Sequence, residues 1–307
     1  MIRRVATGIG ALVLAGSCIA APQHTSVLAS SAPVALAIAA PQAATPARPA
    51  ATPLGFRLDG PLIQGGVVRG TAPPGTARLM LDGVDVPLTP DRRFVIWFDR
   101  DAPAGAMLVA TMLNGTQLRE PLAVAPRAWR IERLDTLPRI AQPSADFARL
   151  RPPELAMIAA ARRMETGAGG WRQPFMWPAT GRISGLFGAQ RIYRGEPGAY
   201  HSGVDVAQPT GTRVIAPADG VVILAALRPF TLEGNLLMID HGMGLNSAFL
   251  HLSRIDVRVG QPVRRGETIG AVGMTGRATG PNLHWAMRWR DRKLDPMLIA
   301  GPMPATD

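Results

Sequence analysis

The chain has 307 residues, nearly half of them hydrophobic, which is enough apolar content to fill two cores and excludes disorder as the default state. Its formal net charge is +11, carried almost wholly by arginine, since Lys293 is the one lysine among 33 Lys and Arg residues; such an excess calls for an anionic partner. No basic run, aromatic platform or recognition helix gathers that charge and the N-terminus reads as an export signal, so nucleic acid is excluded, and wall polymers or anionic lipids fit better.

Met1-Ile2-Arg3-Arg4 supplies a positive start, and Val5 to Ala15 is an apolar run too short to span a bilayer. Residues 1–20 therefore read as a signal peptide of an exported, periplasmic or envelope protein. Two processing routes are open. Cys18-Ile19-Ala20 presents small residues to a soluble-protein signal peptidase, while Leu14 to Cys18 resembles a permissive lipobox that would leave a lipid on Cys18. Cys18 is the only cysteine, so no intramolecular disulfide forms and stability must come from packing. Residues 21–54, rich in Ala, Pro, Ser and Thr, cannot build a core and read as a semi-extended tether.

From Gly55 to about residue 128 short alternating runs predict strands at Phe56 to Leu58, Val67 to Gly70, Arg78 to Leu81, Val84 to Leu88, Phe94 to Phe98, Met107 to Leu113 and Leu118 to Val124. Asp82-Gly83 and Asn114-Gly115 between such runs are hairpin signals, because these residues tolerate positive φ. The expected unit is β-sandwich-like. Lacking His, Cys and clustered carboxylates, it reads as a binding or positioning module, with Phe94, Trp97 and Phe98 in its core.

Residues 129–170 read as a linker holding a helix over Asp146 to Met164. Leu155, Ile158, Ala159 and Ala161 share one face, Pro152 and Pro153 suit a first turn, and Gly167 to Gly170 end the element. The apolar face is expected to pack on the neighbouring domain.

From residue 171 to 300 the pattern is again all-β. Val214 to Ile223 and Val259 to Gly270 repeat one strand-turn-strand rhythm, which biotinyl and lipoyl carrier domains share. A carrier needs an exposed lysine at a hairpin tip, and no lysine precedes Lys293, so that reading fails. Within this region His201 and Asp205 offer a nitrogen and an oxygen four residues apart, and His284 offers a second nitrogen far along the chain. Three protein ligands would leave zinc the open position that a catalytic centre requires. A His-x-x-x-Asp pair alone is weak evidence, because such pairs are common in capped loops and satisfied cores.

The surroundings strengthen it. The segments GVDVAQPTGTRVIAPADGVV (203–222), GNLLMIDHGMGLNSAFLHLS (234–253), VGQPVRRGETIGAVGMTG (259–276) and TGPNLHWAM (279–287) resemble, in order and spacing, the lysostaphin-like zinc endopeptidases. The resemblance implies a mainly antiparallel β fold, the duplicated hybrid motif, with one zinc per chain in an open groove, held by His201, Asp205 and His284. It implies that His251 stabilises the transition state or moves a proton, and that His241 is a structural turn histidine. It further implies that the substrate is a peptide cross-link of bacterial peptidoglycan, with other wall hydrolases as further partners. One residue departs from the family pattern: where His-x-His is usual, this chain has Asn282-Leu283-His284. Asn282 should share the strand face of His284 and can orient but not shuttle a proton. Three readings follow: an active endopeptidase, a catalytically impaired relative that binds wall or regulates a hydrolase, or an envelope protein whose histidines merely satisfy a core.

Overall fold

The alternating runs between residues 55 and 124 do become strands in the computed structural model, which describes residues 50–51, 55–135 and 144–304. The signal segment, Cys18 and most of the tether lie outside the described residues. Strands β1 (Ala50–Ala51), β2 (Arg57–Asp59), β3 (Val67–Thr71) and β6 (Arg93–Trp97) form one antiparallel sheet in that order. A second runs β5 (Val84–Val86), β4 (Thr76–Leu81), β7 (Gly105–Met112), β8 (Gln117–Ala123). Asp82 and Gly83 turn with φ of 50° and 79°, the doubly left-handed geometry that matches the twist of a tight hairpin. Phe94, Trp97 and Phe98 are buried in the core.

β9 (Ile131–Leu134), which the alternation of the sequence does not announce, pairs in parallel with β11 (Gln190–Tyr193), and β12 (Glu196–Pro197) completes that small sheet. Helix α1 (Ala145–Arg162) starts where Ser144 accepts from the Phe147 N–H. Pro152 and Pro153 therefore lie in its interior, not in its first turn, and it stops before the glycines of 167–170. Ile158 and Ala161 are buried, but Leu155 and Ala159, expected on the same face, are exposed.

The C-terminal strands form an antiparallel sheet in the order β10 (Arg182–Gly185), β13 (Val204–Ala207), β21 (Asn282–Trp289), β17 (Leu245–Leu252), β16 (Asn235–Gly242), β15 (Gly220–Ala225), β19 (Pro262–Val263). β22 (Arg292–Leu294) pairs with the second half of β21 on the edge that β13 occupies along its first half. The two repeated strand-turn-strand stretches are not hairpins. Each splits between sheets, β15 pairing with β19 and β14 (Arg213–Ile215) pairing with β20 (Thr268–Ala271), which also pairs β18 (Arg254–Ile255). The copies thus interlock, each supplying the other's partner strand.

Alternation along β21 decides what the sheet presents. Leu283, Trp285, Met287 and Trp289 enter the main core, whereas Asn282, His284, Ala286 and Arg288 face the other way. On that outer face α1 seats Ile158 and Ala161 on Ile223, Leu224, Leu236, Met238 and Ala248, and Leu250 and Ala286 pack against the same cluster. Asn282 and His284 share that outer face of β21.

Candidate metal centre and groove

β13 and β21 are paired so that Asp205 stands opposite His284. Asp205 Oδ1 lies 2.8 Å from His284 Nδ1, and Oδ2 lies 3.1 Å from His201 Nε2. His201 precedes β13 in a loop held by its N–H on the Ala189 carbonyl at 2.8 Å, and its Nε2 is 3.1 Å from His284 Nδ1. The other His201 nitrogen, Nδ1, lies 3.0 Å from the Leu186 carbonyl, to which it donates its proton, and this turns Nε2 on the cluster. Glycines make room. A Cβ on Gly203 would come within 2.7 Å of His284 Nε2 and one on Gly185 within 2.2 Å of Asp205 Oδ2.

Burial pushes the Asp205 carboxyl up, but hydrogen bonds from His201 and His284 outweigh it and hold the group well below the usual carboxylate range. Burial likewise opposes a charge on His201, yet its bond to Asp205 raises its pKa, while on His284 burial prevails and lowers it. A nitrogen of His201, a carboxylate oxygen of Asp205 and a nitrogen of His284 converge on one point, all three ligand atoms within 4.8 Å of one another. Donors of tetrahedral zinc, bonded at about 2.0–2.1 Å, stand roughly 3.3 Å apart. The donor set, its spacing and the orientation of the His201 ring fit such an ion.

His251 breaks the rule of its own strand. Leu250 pairs with His284 and shares its face, so position 251 should point into the core. Instead His251 adopts φ of 65°, in the left-handed region, at the bulged end of the β16–β17 pairing. Its ring then lies 6.2 Å from that of His284. Nδ1 is 2.9 Å from the Thr275 carbonyl, leaving Nε2 as the free nitrogen, and the His251 N–H donates to Glu233 O at 2.8 Å. Asn282 gives Nδ2 to the Gly280 carbonyl at 2.7 Å and leaves Oδ1 buried without a protein partner.

His241 lies in β16 rather than in a turn. It is fully buried, its Nδ1 2.8 Å from Asp219 O and its Nε2 2.8 Å from Ser247 Oγ, and burial depresses its pKa to about 4. The structure thus brings together His201, Asp205, His284 and His251, with Asn282 on the same strand face as His284, and keeps His241 apart. Sequence reasoning missed the carbonyls of Leu186 and Thr275 and the clearance at Gly185. Only the SGLFG run at 184–188 hinted at a close approach.

The profile of Peptidase family M23 matches residues 199–296. Peptidoglycan DD-endopeptidase ShyA of Vibrio cholerae is 40% identical over 126 residues, 41% of this chain and 29% of that protein. DD-carboxypeptidase/endopeptidase Mpg of Neisseria meningitidis is 41% identical over 127 residues, 40% of this chain and 28% of that protein. The chain spans less than a third of the length of these curated relatives. A crystal structure of a Pseudomonas aeruginosa protein assigned to peptidase M23 superposes over 79% of this chain and 96% of its own, with a TM-score of 0.59 and 29% identity. Residues 199–296 of this chain are accordingly a Peptidase family M23 domain.

Proposed function

We propose that this protein is an exported zinc endopeptidase that hydrolyses peptide cross-links of bacterial peptidoglycan, with His201, Asp205 and His284 as the metal ligands. The observation that carries the reading is the convergence of those three side chains on paired strands β13 and β21 and the loop before them, inside the stretch that matches the M23 profile. Zinc held there would supply Lewis acidity toward the scissile carbonyl and lower the pKa of water. The chain's own contributions are separate. His251, fixed by Thr275, offers Nε2 to take a proton in its neutral form or to donate to a developing oxyanion in its charged form. Asn282 offers the unpartnered Oδ1 as an acceptor that orients water, with no proton affinity near neutral pH. The sandwich-like sheets position the wall polymer, and export would rest on the N-terminal signal segment.

Asn282 also favours a second reading, that of a catalytically impaired relative retained for wall binding, since loss of a general base costs about 10²–10⁴-fold in rate. Metal analysis and digestion of purified peptidoglycan separate the two. About one zinc per chain, lost in His201→Ala, is expected, together with slow release of peptide fragments that rises in Asn282→His while zinc content stays constant. Protein that takes up no zinc would sink the metallopeptidase reading. Zinc-loaded wild type and Asn282→His that both bind wall and cut nothing would establish the impaired relative.

A further inference from the structure

The outer face of β21 that carries His284 continues through Ala286 to Arg288, whose cross-strand partner on β22 is Lys293. Arg288 lies four positions along the strand from His284, about 13 Å away. Arg162, the last residue of α1, lies close enough to Arg288 to feel its charge and has a buried Nε with no partner. Arg288 gives only a long 3.4 Å bond to the Asp291 carbonyl, and Lys293 holds its ammonium over the Tyr200 ring at 4.2 Å. Among the described residues no carboxylate lies within ion-pair distance of any of the three. Asp99, whose charge reaches Arg288 and Lys293, is already taken by the Tyr200 hydroxyl and the N–H groups of Arg100 and Lys293. Burial lowers the pKa of all three, that of Arg162 to about 10, and outweighs the more distant charges of Glu233 on Arg162, of Asp99 and Asp291 on Arg288, and of Asp99 and Asp101 on Lys293.

Partly buried cations without an ion pair are costly unless an anion reaches them. We propose that Arg288 and Lys293, with Arg162 from the helix side, receive a carboxylate of an extended wall peptide whose scissile bond lies at the His201, Asp205 and His284 cluster. The proposal rests on the endopeptidase reading and adds the substrate feature selected. A planar carboxylate suits the fork of Arg288, and the strand β21 suits an extended ligand. Wall peptides carry free carboxylates at acidic residues and at their termini.

The test uses two synthetic cross-linked wall peptides that differ only in whether the carboxylates away from the scissile bond are free or amidated. Zinc-loaded wild type should prefer the free acid about ten- to hundredfold in kcat/KM, as a charge-assisted pair shielded from water implies. In Arg288→Met and Lys293→Met that preference should fall toward one, Arg288→Lys should recover part of it, and Arg119→Met, an equal charge loss on the distant β8, should leave it intact. Melting curves establish that each variant is folded, and Lys293→Met decides the matter where Arg288→Met is not. Equal cleavage of both peptides by wild type overturns the inference and leaves the endopeptidase reading standing. Cleavage of neither overturns that reading, and calorimetric titration of the two uncut peptides then decides the inference: tighter binding of the free acid supports it, equal binding overturns it.

Discussion

His241 spends both ring nitrogens inside the core, on a carbonyl and a hydroxyl, and gains nothing from a proton. Its folded pKa of about 4 lies below the ordinary histidine value of 6.5. Between those values the unfolded chain binds a proton that the folded chain refuses. The stabilisation is therefore complete above pH 6.5 and is lost as pH falls toward 4, by about 3 kcal/mol. Urea denaturation at pH 7.5 and 4.5 should show that loss, and His241→Gln should remove most of the difference between the two pH values. An unchanged acid slope in the variant would show that some other group sets it. His251 teaches the opposite lesson about residues. Its chemistry was legible from FLHLS, but its place was not, because regular alternation sends it into the core and only a left-handed backbone returns it to the side of His284.

At the scale of elements, α1 does more than cover apolar surface. Arg151 grips Glu233 with two bonds of 2.6 and 2.7 Å, and Glu154 accepts from both the N–H and the hydroxyl of Thr231. The helix thereby pins the loop whose Glu233 carbonyl holds the His251 N–H. Arg151→Met leaves Glu233 without its cation in a largely buried place, and a loss of about 2–3 kcal/mol is expected. A fall in kcat should accompany it, with Arg151→Lys recovering part of both. Thermal melts and initial rates check this, and a destabilised variant with unaltered kcat would separate the helix from His251. The strands of residues 55–124 were readable because alternation and Asp-Gly or Asn-Gly turns act locally. The exposure of Leu155, the interior prolines of α1 and the parallel strand β9 were not, since each is settled by which distant surface the segment meets.

For the molecule as a whole, the described N-terminal sheets and the peptidase strands share one core. Trp97 packs on Trp289 with ring centres 5.5 Å apart, Arg127 pairs with the buried Asp295 at 2.8 Å, and Arg69 donates to the carbonyls of Trp171 and Gln173. Asp99 meanwhile accepts from Tyr200, the neighbour of His201. Contacts of this kind make unfolding cooperative. Scanning calorimetry should show one transition with calorimetric and van't Hoff enthalpies in agreement, and two resolved transitions would show that the halves are energetically independent.

A chain so rich in arginine and so poor in lysine has a practical consequence. Apart from the α-amino group, Lys293 is the sole primary amine in the sequence, and burial lowers its pKa, so more of it is nucleophilic free base at mildly alkaline pH. An amine-reactive fluorophore would attach there, beside the Tyr200 ring, and leave every guanidinium untouched. The protein thus carries a native handle for an optical report of what binds beside Tyr200, the neighbour of His201.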